Sequence, residues 1–214
     1  DMYIPPLFKD KILSSITSTN IVSYSRIEPP IFPQEEPGKI VRDFGYDLKT
    51  LDKLKINEFE KTYNKKYKGG RYLFVACYKN NWIKLDETTF NPPQMWAADD
   101  DLFLRFKLSN FELTISDALV YHFVSKTSRT KNYKVGEFYS NRNFIRKWGF
   151  RQSQYNVKYN IGFIVLTCNS DFLEFLEPWC SNILIDDEMQ VLTSHYLDKE
   201  QKNTMYKLGD RIKS

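Results

Sequence analysis

The chain has no uninterrupted apolar run of about 18 residues or more, so the sequence holds no membrane-spanning helix. Its start, Asp1-Met2-Tyr3-Ile4-Pro5-Pro6, has neither a basic stretch nor an apolar one, which excludes a secretory signal there. Because that start also lacks methionine, we expect a piece of a longer, multidomain protein. Cysteine is scarce, three in 214 residues, with no CxxC pair and no metal-ligand spacing. The odd number fits a reducing compartment, and a cytoplasmic location is expected. Excess positive charge is small, +4 overall. That falls short of the basic stripe of a duplex-binding protein, so nucleic acid is not an expected partner. There is no repeat at a solenoid period and no low-complexity segment.

What is present suits a folded chain. Hydrophobic residues make up 42% and aromatics 16%, enough for one sizeable core or one core with a smaller appended unit. The mixed charged fraction of 27% argues against disorder. Richness in Asn, Lys, Tyr and Ile hints at an AT-rich genome, viral or protist; if viral, the cytoplasm is the host's. The basic residues cluster in 61–68 and 126–134, as solvated faces or as attraction for a phosphorylated ligand, with Lys126 a candidate for substrate binding. Cys77 and Cys168 stand in apolar runs and are expected to be buried.

Periodicity predicts a helix over 7–16, a short strand over 21–24, an irregular proline-rich stretch over 29–37, and a helix within 48–63. The apolar run 72–78 reads as a strand buried on both faces. A helix over 99–110 opens with Asp99, Asp100 and Asp101, where the dipole favours acids, and sets Leu102, Phe103, Phe106 and Leu108 on one side. Strands come next over 111–115 and 118–121, the second delivering His122, then a helix over 137–148 closed by Gly149. Beyond a soft boundary at 152–158 comes a β-α-β-α pattern: strand 159–166, helix 171–176, strand 182–185 ending in Asp186 and Asp187, and mostly helix over 190–213. The fold class is therefore α/β, in two parts, 1–152 and 153–214.

Taken singly, the chemical candidates have plain explanations. The three acids serve equally well as helix cap and dipole partners. His122 after a strand serves equally as a hydrogen-bonded structural histidine. Arg26 and Glu28, in Arg26-Ile27-Glu28-Pro29-Pro30, read either as a loop ion pair or as a substrate-facing loop. His195 has no acidic partner at metal spacing and reads as structural or exposed.

Order and spacing change this picture. Trp82 followed by Asp86, Glu87 and Phe90, then Trp96 with Asp99 to Leu102 and Arg105, then Ala118 to His122, resembles the acceptor half of family 2 glycosyltransferases with the GT-A fold. The segment ending Lys147-Trp148-Gly149 is similar to that family's closing segment. Asp1 to Pro6 resembles the end of its Asp-x-Asp metal motif, with Asp1 as the last aspartate, and the residues next to it. The likeness covers roughly residues 1–149. It implies a mostly parallel, mixed sheet flanked by helices, with Asp99 as the base that takes the acceptor proton and Asp100 as substitute if the register slips. It further implies Asp1 and His122 as ligands of Mn²⁺ or Mg²⁺, with Trp96 and Asp86 lining the acceptor side; Arg26, Arg105 and Lys126 are further candidates for substrate contact. The partners implied are a UDP-, GDP- or dTDP-sugar and a glycan or glycoprotein acceptor, joined by inverting displacement.

Two departures stand out. The family's companion glutamate falls on Ala98, and its nucleotide-binding half precedes Asp1 and is missing. The unit 153–214 is then the start of a second such domain, a completion of the first sheet in permuted order, or an unrelated α/β appendage. A non-catalytic, glycan-binding or scaffolding module is the competing function.

Overall fold

The computed structural model describes residues 2–34, 36–69, 75–85, 98–124, 133–151 and 161–213. It divides into two compact units, 1–89 with 99–131, and 90–98 with 132–214. No helix among the described residues is long and apolar enough to cross a membrane.

The first unit is built on two long parallel strands, β2 (Asn20–Glu28) and β5 (Glu112–His122), with β3 (Lys39–Val41) parallel to β2 on its other side. Short antiparallel strands β1 (Met2–Tyr3) and β4 (Tyr67–Lys68) pair with opposite ends of β5. The sheet is mixed and mostly parallel, in the order β1-β5-β2-β3. Both faces are covered, as parallel pairing requires. Helix α1 (Phe8–Ser15) brings Ile12 to Val22, Tyr24 and Val120 on one face. Helix α2 (Lys53–Thr62) brings Ile56 to Ile27, Leu119 and Tyr121 on the other. Val22, Ile27, Ile56 and Leu119 are fully buried, each contributing about 1.5–3 kcal/mol of apolar burial. Helix α3 (Lys79–Ile83) is a single turn, and helix α4 (Ala98–Leu108) packs Leu102 and Phe106 against Ile21 and Leu85.

Helices α1 and α2 exchange end caps. The Glu60 carboxylate of α2 accepts the Leu7 N–H at the start of α1, at 3.0 Å. The Lys11 ammonium of α1 donates to the Glu60 and Tyr63 carbonyls at the end of α2, both at 2.7 Å. Each charge thus meets the helix terminus of opposite dipole sign and satisfies groups that a helix leaves unpaired. Burial pushes the Glu60 carboxyl up, partly offset by the Leu7 N–H and the Lys11 charge.

In the second unit β6 (Gly162–Val165), β7 (Asn182–Ile185) and β8 (Ile212–Lys213) form their own parallel sheet in that order. Helices α5 (Tyr133–Trp148), α6 (Ser170–Leu176) and α7 (Gln190–Glu200) complete it. Val165, Ile183, Ile185 and Ile212 pack on Leu173, Leu176 and Tyr196. Asn169 caps α6 by accepting the Phe172 N–H at 2.8 Å.

Several expectations change. The two strands expected over 111–121 are one. β5 continues through Ser116 and Asp117, which bulge where the β2 register shifts from Ser23↔Ile115 to Ser25↔Leu119. The carbonyls freed there are satisfied by buried serines: Ser25 Oγ donates to Ser116 O at 2.8 Å and Ser116 Oγ to Ser23 O at 3.0 Å. β2 runs through Arg26 and Glu28, so these lie on a strand, not a loop, and the strand stops at Pro29 because proline has no N–H for the ladder. Leu108 is exposed, since α4 ends there. Of the run 72–78, residues 72–74 lie outside the described residues; the rest makes one bridge, Ala76 to Val22, and Tyr78 is exposed. Cys180 is the buried cysteine, while Cys77 and Cys168 are half-buried. The helix expected over 190–213 ends at Glu200, and the chain returns to the sheet as β8.

The expected boundary at 152–158 lies outside the described residues. α5, placed by the sequence with 1–152, groups with the second unit because its arginines are neutralised there by Glu177 and Glu200. The described strands of the second unit pair among themselves.

Candidate functional site

The parallel strands β2 and β5 end side by side, and each ends in a titratable residue. Glu28 closes β2 and His122 closes β5. Their side chains meet, His122 Nδ1 lying 2.7 Å from Glu28 Oε1. Carboxyl ends of parallel strands are where open α/β sheets place their ligands.

Two cations surround the carboxylate. Arg26 Nε donates to Glu28 Oε1 at 2.8 Å, and Lys39 Nζ lies 3.5 Å from Glu28 Oε2. Arg26 also pairs with Glu36, and Lys39 donates to the Phe32 carbonyl. Burial by itself raises the Glu28 carboxyl, but the His122 hydrogen bond and the Arg26 charge outweigh it and bring it down to about 2. Glu28 is therefore ionised at neutral pH and only accepts. In the neutral form of the imidazole the hydrogen of this contact sits on Nδ1 and the lone pair on Nε2. A carboxylate behind an imidazole in this way is how metal-ligating histidines are oriented and made more basic. His122 by itself is a single such imidazole. Among the described residues, no group of three or more His, Cys, Asp or Glu is placed to hold a metal ion. Asp1, the other expected ligand, lies outside the described residues; its chain neighbour Met2 pairs with His122 in the β1–β5 register.

Loop geometry behind this rim is set by Tyr121. Its hydroxyl donates to Gly45 O at 2.6 Å and accepts the Phe44 N–H at 3.2 Å. Gly45 has φ +113°, and a Cβ there would stand 2.4 Å from Thr50 O, so only glycine fits.

Asp99, the expected base, heads α4 in the same unit. It is half-buried and accepts the Asp100 N–H at 3.0 Å. Burial pushes its carboxyl up, with the Asp100 N–H and its own holding it back in part. Asp100 is half-buried beside it. Arg105, expected to contact substrate, turns along its own helix to Asp101, at 3.1 Å, one turn away. Trp96, Asp86 and Lys126 lie outside the described residues. The contacts of the described residues thus join His122 to Arg26 through Glu28, join Asp99 to Asp100, and pair Arg105 with Asp101. Lys39 was not singled out by the sequence, and Glu28 was read only with Arg26 as a loop pair or substrate-facing loop; Arg-x-Glu on a strand places the Arg26 and Glu28 side chains on one face, a signal the period-2 pattern carries.

Comparison of the chain with protein-family models, with curated protein sequences and with solved structures finds no match.

Proposed function

We propose that this chain carries the catalytic part of a metal-dependent, GT-A-like glycosyltransferase that moves a sugar from a nucleotide diphosphate to a glycan or glycoprotein acceptor. The observation that carries the proposal is the His122–Glu28 pair at the carboxyl ends of two parallel strands. When bound, Mn²⁺ or Mg²⁺ supplies charge compensation for the departing diphosphate. His122 would hold it with Asp1, and Glu28 would keep the His122 ring in one orientation and tautomer. Asp99 would accept the proton of the attacking hydroxyl; a carboxyl raised by burial is a stronger proton acceptor than an exposed one. Likeness of spacing to family 2 transferases supports the same roles.

The test separates base from metal ligand. Asp99→Asn should lower transfer by about 10²–10⁴-fold, the usual worth of a positioned base, while leaving metal-dependent nucleotide binding nearly intact. His122→Ala should weaken Mn²⁺ and donor binding together. Equal behaviour of the two variants in paired turnover and calorimetry would refute this division of roles.

A second function is favoured by Ala98, which stands where the family has its companion glutamate. It is a non-catalytic, glycan-binding module. Absence of both metal-dependent binding and donor hydrolysis, across UDP-, GDP- and dTDP-sugars, would establish it over the first.

A further inference from the structure

A cavity of about 670 Å³ opens beside β3 and the end of α2 in the first unit, within the size range of small-ligand sites. Its lining joins ring surfaces from Phe59 and Tyr67 to the cations Lys39, Arg42 and Lys65. Charge accounting decides what it would accept. Lys39 and Glu36 are spent on the strand-end cluster, where Arg26 and Lys39 face Glu28 and Glu36 and the sum is zero. Arg42 and Lys65 remain, and among the described residues neither meets a carboxylate. The Arg42 guanidinium lies over the Phe59 ring, 4.6 Å from its centroid. Stacking holds the guanidinium plane in place, and a held fork suits a planar or tetrahedral anion better than a mobile ammonium does. Thr62, Asn64 and the Tyr67 hydroxyl add neutral hydrogen-bonding groups, the kind that recognise sugar hydroxyls.

We infer that this cavity binds a sugar bearing a carboxylate or a phosphate. The ligand class rests on the cavity; taking that sugar as the acceptor rests on the transferase proposal above. The cavity shares Lys39 and Glu36 with the His122–Glu28 cluster, so a ligand there lies beside the strand ends.

The probes for calorimetry on the full chain are a glucuronate-containing disaccharide, a hexose phosphate and a neutral disaccharide, each with and without Mn²⁺. At least one anionic sugar should bind at least about tenfold tighter than the neutral one, and the stronger of the two identifies the anion. Arg42→Gln and Lys65→Gln should each cost about tenfold, the loss expected for one charge-assisted hydrogen bond. Raised salt should weaken the wild type more than either variant. Binding measured without Mn²⁺ reads the cavity alone, so failure of the metal site and failure of the cavity give different results. Equal binding of neutral and anionic sugars, no binding at all, or wild-type affinity in both variants would overturn the inference.

Discussion

The two units each hold a cluster of opposed charges, and the clusters are built for different ends. In the second unit Arg142, Arg146 and Arg211 meet Glu177 and Glu200 inside the fold. Arg146 is bidentate on Glu177 at 2.6–3.1 Å and reaches Glu200 at 2.5 Å; Arg142 donates to Glu200 and to the Tyr196 hydroxyl, both at 2.6 Å. The Tyr196 hydroxyl donates in turn to Glu177, and Arg211 closes the ring at 3.0 Å. Arg146 and Glu177 are completely buried. Burial opposes both charges, but their pairing prevails, holding Glu177 below its usual range and raising Arg146. In the first unit, by contrast, His122 is one-fifth exposed and its carboxylate partner lies at a sheet rim. Perturbed ionisation thus marks both a closed structural network and an open candidate site. What separates them is whether a ligand can reach the charges.

Breaking the closed network should have the largest effect. Glu177→Gln removes one of two anions facing three arginines, and should cost about 3–5 kcal/mol in urea unfolding followed by tryptophan fluorescence. Stability within about 1 kcal/mol of wild type would show that the network is wetter and looser than its geometry implies. Glu28→Gln should sharpen the contrast from the other side. It should weaken metal affinity about 10–100-fold by loosening the imidazole, with a smaller loss of stability, on the order of 2 kcal/mol at pH 7.

The pH dependence of that loss has a definite sign. The folded carboxyl titrates near 2 against 4.5 when unfolded, so its stabilisation is present above 4.5 and fades as pH falls toward 2. Thermal midpoints of wild type and Glu28→Gln should therefore converge as pH falls below 4.5. A gap that persists unchanged at about pH 2.5 would mean that Glu28 acts by packing alone. The smallest effect belongs to Lys199→Gln. Its pair with Glu174, at 2.6 Å, is half in solvent, and the change should stay within about 1 kcal/mol.

Much of the fold was legible. Apolar period and glycine marked α1, α4 and β7 nearly to their ends and α5 at its C-terminus, where Gly149, with φ +76° and its N–H on Ile145 O at 2.7 Å, closes the helix as its sequence implied. The role of the basic end of α5 was not legible. Arg142 and Arg146, at i, i+4 spacing, share one face and turn their charges inward. Only distant Glu177 and Glu200 make that tolerable. Ser116 and Asp117 broke the β5 pattern because a bulge, invisible to a period-2 count, carries the strand through them.

The sequence by itself determined the alternation of elements, the acidic head of α4 and the placing of His122 at a strand end, because these arise from local periodicity and dipole. Tertiary structure alone decided that Glu28, 94 residues away, holds the His122 ring. It also decided that Arg42 stacks on Phe59 and that α5 belongs with the second sheet. Such pairings depend on which strands lie side by side and which charges lose water together, and nothing local in the chain encodes either.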